Sequence, residues 1–310
     1  MEFIASLLAI FTNCLLPVFL LIGLGVAVQR RFGLDVRTLT RLNLWVFVPA
    51  LVLDRLSHAD LSGADLGRVV GFTLLLMLAM IVVARAWCRA RRYSVGLSAA
   101  FTCAVIFYNS GNYGLPVIEL AFGKGSPALA LQTMVLAVQN VTTFSLGAVI
   151  IRGPSVGVRT ALLEYLKMPF LYAIALGLLL QRTGWQLPMP LAKAAQVAGD
   201  GLVPIALVTL GAQLGQVTWS GRARTMVAAT IMRLAVAPAV AFCLLKALGW
   251  SGLVAQHLMI SSSFPSAINA ALMAIEYDNE PDFAAQAVMT ATLLSALTVA
   301  ITIFVARAAF

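Results

Sequence analysis

Ten long apolar runs, separated by short polar or basic breaks, constrain this chain more than any other feature. The runs cover residues 3–29, 37–57, 66–88, 95–122, 127–151, 161–181, 190–216, 222–247, 252–276 and 281–306. A helix that crosses a bilayer needs about 20 predominantly apolar residues. Ten such helices with short connections use up all 310 residues, so no room remains for a soluble catalytic domain. Only 11% of the residues are charged, where a soluble domain carries about a quarter. The expected fold is an all-α polytopic membrane protein. The first run continues to Val28 and stops at Gln29-Arg30-Arg31 without a small-residue cleavage site. It therefore reads as a span rather than a signal peptide.

The formal net charge of +9 would point to nucleic acid in a soluble protein. In a polytopic chain it reads as cationic cytoplasmic loops, and no nucleic-acid partner is expected. One set of alternate loops holds Arg30, Arg31, Arg37 and Arg41, then Arg85, Arg89, Arg91 and Arg92, then Arg152, Arg159, Lys167, Arg222 and Arg224. The other set holds seven basic residues against these thirteen. That bias places both termini on the outer side of the plasma membrane. Cys14, Cys88, Cys103 and Cys243 form no CxxC, and His58 and His257 are the two histidines. Neither a metal site, nor a cofactor, nor a disulfide framework is expected. No Walker loop, GxSxG or HExxH motif occurs, so an enzyme is not expected.

The chain resembles itself. A shift of 152 residues lays Pro17 on Pro169, Ile22 on Ile174, Gly25 on Gly177, Gln29 on Gln181 and Arg30 on Arg182. A shift of 155 lays Val48-Pro49 on Val203-Pro204, and one of 154 lays Pro127, Ala130 and Gln132 on Pro281, Ala284 and Gln286. Two five-helix repeats follow, 1–153 and 158–310. Five is odd, so the second repeat enters from the opposite face. This inverted arrangement belongs to secondary transporters that alternate access around a midplane site.

The fourth and ninth runs are the irregular ones, and they correspond under the repeat. Asn109, Ser110, Gly111 and Asn112 lead to Gly114 and Pro116, while Ser261, Ser262, Ser263, Pro265, Ser266 and Asn269 interrupt the later run. A shift of 153 lays Asn112 on Pro265. Glycine and proline break the helical ladder and free backbone groups that need partners. Two broken helices crossing at the midplane would turn half-helix N-termini, with free amides, toward an anion. Gln139 and Asn140 in the fifth run are costly in lipid and suit a cavity wall. Asn43 reads as glue between helices. Asp200 and Arg233 lie deep in their runs, where they suit ion or charge coupling, pairing with a substrate carboxylate, or a mutual ion pair.

These residues resemble the auxin efflux carrier family, which includes bacterial permeases and plant PIN-type carriers. The resemblance covers essentially the whole chain. It is carried by Leu16-Pro17 with Gly23 and Gly25, Leu42-Asn43 with Val48 to Leu51, Asn109 to Pro116 with Phe122-Gly123, Pro204 with Leu210-Gly211-Ala212, and Phe264-Pro265. It implies a ten-helix fold similar to sodium–bile acid symporters. Spans 1, 2, 6 and 7 would form a scaffold, as a homodimer, and spans 3–5 and 8–10 a moving transport domain. By motif match the substrate site would include Asn109, Asn140 and Phe144, beside Pro265. The Asn-Pro-x-x-Tyr segment of plant carriers reads Met168-Pro169-Phe170-Leu171-Tyr172 here, and their long central loop is absent.

The expected function is secondary transport of a small organic anion, such as a carboxylate or an auxin-like acid, by an elevator-type movement. Coupling to sodium or protons is left open. The alternatives are a sodium-coupled symporter of a larger amphipathic anion, and a channel or non-transporting membrane sensor.

Overall fold

A computed structural model describes residues 2–59, 62–152, 167–217 and 223–310. The expected junction at 153–158, Arg159, Arg222 and the first residues of the sixth run lie outside the described residues. The described residues are all-helical, with no strand. The helices are α1 (Ile4–Phe32), α2 (Val36–His58), α3 (Gly63–Ala90), α4 (Val95–Ile106), α5 (Gly114–Phe122) and α6 (Pro127–Arg152). They continue with α7 (Pro169–Thr183), α8 (Met189–Leu214), α9 (Arg224–Ala247), α10 (Gly252–Ser262), α11 (Ile268–Glu276) and α12 (Pro281–Ala309). Seven of them, α1, α2, α3, α6, α8, α9 and α12, are long and apolar enough to cross a membrane.

Local chemistry sets the boundaries. The Asp35 carboxylate accepts from the Arg37 amide at 3.0 Å and the Thr38 hydroxyl at 2.5 Å, starting α2. The Thr38 hydrogen bond holds that exposed carboxyl below its ordinary pKa. Ser62, Ser94 and Ser126 cap α3, α4 and α6 in the same way. Prolines inside the long helices are absorbed rather than allowed to stop them. A π-helical turn precedes Pro17 (Phe11–Leu15), Pro49 (Asn43–Phe47) and Pro238 (Met232–Val236). A proline lacks the amide proton and crowds the carbonyl four residues back, and a widened turn relieves both problems.

The helices sort into two groups by what they touch. α1 packs on the second half of α8, and α7 packs on the second half of α2, beside the first half of α8. The other group joins α3, α4 and α6 to α9, α10, α11 and α12. The first group meets backbone to backbone. A Cβ on Gly211 would overlap the Ile22 carbonyl oxygen and lie 2.9 Å from the Gly25 Cα. A Cβ on Gly177 would lie 2.8 Å from the Leu56 Cβ. The sequence shifts of 152 and 155 residues carry Gly25 to Gly177 and Leu56 to Gly211, the residues of these two contacts.

The fourth and ninth runs are each two half-helices. α4 ends at Ile106 and α5 begins at Gly114; α10 ends at Ser262 and α11 begins at Ile268. Pro116 falls in the first turn of α5, where a missing amide costs nothing. Pro265 sits in the second gap and disfavours helix in the residue before it.

Candidate functional site

The two gaps cross. Tyr108 and Ser266 form an isolated antiparallel bridge. The Asn109 amide donates to the Pro265 carbonyl at 2.8 Å, and the Ala267 amide donates to the Phe107 carbonyl at 2.9 Å. The Ser266 hydroxyl adds a bond to the Ala104 carbonyl at 2.7 Å. The reciprocal bonds relate Phe107 to Pro265 and Asn109 to Ala267, an offset of 158 residues. This corrects the 153-residue register, which had placed Asn112 on Pro265. Sequence matching found the corresponding breaks but slipped within them, because loops of unequal length carry no periodicity.

Charge is arranged in opposite senses on the two sides of this crossing. The C-terminal ends of α4 and α10 converge on Arg233 of α9. Its guanidinium donates to the Val105 carbonyl at 2.9 Å and to the Ser262 carbonyl, and it lies 4.9 Å over the Tyr108 ring. Arg233 is buried. Terminal carbonyls carry the negative end of a helix dipole, so a cation there is favourable. Arg233 therefore does not reach Asp200. Asp200 accepts from Arg55 at 3.0 Å and lies 3.4 Å from Lys124, half-exposed at the far ends of α2 and α5. Glu119, buried in α5, keeps a carboxylate oxygen without a hydrogen-bond partner among the described residues.

The N-terminal sides of α5 and α11 face a small cavity of about 50 Å³. At roughly 10–15 Å³ per water, it holds a few waters or one small polar group. Asn109, Ser110, Gly111 and Asn112 line one side, with Asn269 opposite. The amides of Gly111, Asn112 and Ile268 have no hydrogen-bond partner among the described residues. Gln139 and Asn140 complete this wall from α6. The Gln139 side-chain oxygen accepts from the Tyr108 amide at 3.3 Å, which leaves its NH2 group buried and unpaired. The Asn109 NH2 group is also buried, and neither NH2 group has a partner among the described residues. Asn269 donates to Asn140 at 3.1 Å. The unpaired groups on this wall are donors, the complement of an anionic oxygen, while the Asn43 and Gln213 side-chain oxygens on the facing wall are buried acceptors without a partner among the described residues.

The remaining candidates lie elsewhere. Ser262 and Ser263 are fully buried and turn their hydroxyls back to the Met259 and Ile260 carbonyls, at 2.6 and 2.7 Å. They do not line the cavity, and neither do Pro265 and Ser266, which hold the crossing itself. Phe144 also lies off the cavity; Thr143 takes that place.

The other wall was not anticipated. Thr40, Asn43, Leu44 and Val48 of α2 and Gln213 of α8 face the crossing. Asn43 donates to Thr209 at 3.1 Å and Gln213 to Thr40 at 3.2 Å, so both also tie α2 to α8. A second support runs behind the cavity. The Gln132 side chain donates to the Ser110 carbonyl at 2.9 Å and accepts from His257 Nε2 at 2.9 Å. Nothing in the sequence marked this link, because Gln132 and His257 are 125 residues apart.

Comparison with known proteins agrees with this architecture. A family model described as membrane transport protein matches residues 156–303. A protein of Methanothermobacter thermautotrophicus described as an uncharacterized transporter is 26% identical over 292 residues, which covers 92% of this chain and 94% of that one. A multi-pass, all-helical chain similar to a transporter along nearly its whole length is a transport protein of the membrane. Both findings are in keeping with the chain's resemblance to the auxin efflux carrier family.

Proposed function

We propose that this chain is a secondary carrier of a small organic anion, with the cavity at the crossing as its binding site. The observation that carries the reading is the convergence of unpaired donors, from Asn109, Gln139 and the Gly111, Asn112 and Ile268 amides, on one small space. A carboxylate there is held by side-chain amides and by the positive ends of α5 and α11. The small cavity favours a compact acid over a large amphipathic one.

Ten spans in two inverted five-helix repeats account for the chain. The paired contacts of Gly25 with Gly211 and of Gly177 with Leu56 support that symmetry. In this reading α1, α2, α7 and α8 are the scaffold, and α3–α6 with α9–α12 are the transport domain. An elevator-like slide of the second group moves the crossing past the wall of α2 and α8. The carrier works in the plasma membrane as a homodimer joined through its scaffold, with both termini outside.

Coupling follows from Arg233. In a crossed-helix carrier, exposed carbonyl ends are where a sodium ion would bind. Here the guanidinium takes that place, so uptake is expected to be unchanged when sodium is replaced by choline. A drop of more than about fivefold, or about 1 kcal/mol, would restore the sodium-coupled alternative.

The direct test is uptake and counterflow in proteoliposomes, screened over small mono- and dicarboxylates. Asn109→Ala is expected to lower uptake at least tenfold, since one charge-assisted hydrogen bond contributes about 1.5–3 kcal/mol, while expression stays normal. Undiminished transport by that variant removes Asn109 from the site. Absence of counterflow with every acid would favour a channel or sensor.

A further inference from the structure

A second cavity, of about 490 Å³, opens where α1 begins and α12 ends. Its volume lies in the range of roughly 300–1,000 Å³ usual for small-ligand sites. Ser6, Ala9, Ile10 and Asn13 of α1 form one wall. Ile303, Phe304 and Arg307 of α12 face them, with Leu120 of α5 between.

Most of this lining is apolar, and two groups in it lack the partners that an apolar setting demands. Asn13 is exposed on α1, whose most apolar 18 residues have a mean hydropathy of 2.4. Its amide makes no hydrogen bond among the described residues. Its neighbour Thr12 shows the usual remedy, a bond from its hydroxyl back to the Leu8 carbonyl at 2.8 Å. Arg307 donates to the Ala121 carbonyl at 2.6 Å, which uses part of its donor fork. No carboxylate lies within ion-pair distance of Arg307 among the described residues. A cation and an unpaired amide therefore share one greasy groove. A polar group facing hydrocarbon without a partner is costly.

We propose that this groove binds one anionic glycerophospholipid. Its phosphate meets Arg307, an ester carbonyl accepts from Asn13, and an acyl chain lies along Ile10, Ile303 and Phe304. A soluble anion would satisfy Arg307 but leave the apolar wall in water. This inference is independent of what the crossing transports.

The test heats the full-length protein in neutral detergent with phosphatidylglycerol, with phosphatidylcholine, or with sodium phosphate. At a hundredfold excess over its Kd, phosphatidylglycerol is expected to raise the unfolding midpoint by about 5 °C, and the other two by under about 1 °C. Arg307→Gln should remove the difference between the lipids, and Arg307→Lys should keep most of it. Asn13→Leu leaves the bond to Ala121 intact and should weaken phosphatidylglycerol binding about fivefold. Equal shifts with the two lipids overturn the proposal, as does a full phosphatidylglycerol shift in Asn13→Leu. A sodium phosphate shift that matches the lipid shift also overturns it, in favour of a small-anion site.

Discussion

Replacing Arg233 with leucine is expected to lower the stability of the folded protein by about 3 kcal/mol or more. The change orphans the Val105 and Ser262 carbonyls, which the guanidinium holds from opposite half-helices. Each buried acceptor left unpaired costs about 1–3 kcal/mol. It also lets the negative ends of two helix dipoles face each other with no cation between them, and it removes the contact with the Tyr108 ring. Unfolding of the purified protein in detergent, followed by intrinsic fluorescence, should shift downward by roughly 6–12 °C. Arg233→Lys should fall between wild type and leucine. A lysine keeps the charge, but its compact ammonium cannot fork between two carbonyls as a planar guanidinium does. A leucine variant that melts within about 2 °C of wild type would show that the crossing does not depend on this residue.

Gly211→Val should be more damaging still, and it comes with its own control. Any side chain at Gly211 collides with the Ile22 carbonyl and the Gly25 Cα. Backbone atoms cannot rotate away, so α1 and α8 must separate along their whole contact. Overpacking a core commonly costs about 1–3 kcal/mol, and a backbone collision lies at the top of that range or beyond it. The expected result is loss of most folded protein in a fluorescence-detected size-exclusion assay. A Cβ at Gly23, on the same helix as Gly25, meets nothing within 4 Å. Gly23→Val should therefore express and elute like wild type. If the two variants behave alike, the close approach of α1 and α8 does not hold the molecule together.

Much of this architecture was readable because lipid imposes a simple rule. Backbone groups must be paired within the helix, so apolar length alone marks the spans. The breaks at Asn109 to Pro116 and at Pro265 were visible for the same reason, since glycine and proline disrupt the only permitted structure. Which polar side chains face the cavity was less visible. Ser262 and Ser263 lie at the end of α10, where a hydroxyl is satisfied by the carbonyl three residues back. Composition cannot separate that use from a binding role. Arg233 and Asp200 stood out as buried or half-buried charges, but their partners come from α2, α4, α10 and the turn after α5. No local pattern encodes such long-range choices. Thr40 and Gln213 were overlooked because each resembles an ordinary polar residue near the end of a span.

The reciprocal backbone bonds at the crossing have a mechanical consequence. Prising the two gaps apart would sever the bonds of Asn109 with Pro265, Ala267 with Phe107, and Ser266 with Ala104. On the opposite side, the cavity residues of the crossing share no hydrogen bond with Thr40, Asn43 or Gln213 among the described residues. The crossing is riveted by backbone bonds, while the other seam is tied at its rim by Asp200 with Lys124. In the proposed elevator, a cargo seated between them would be freed by slip along that second seam, with the riveted half travelling as a single casting.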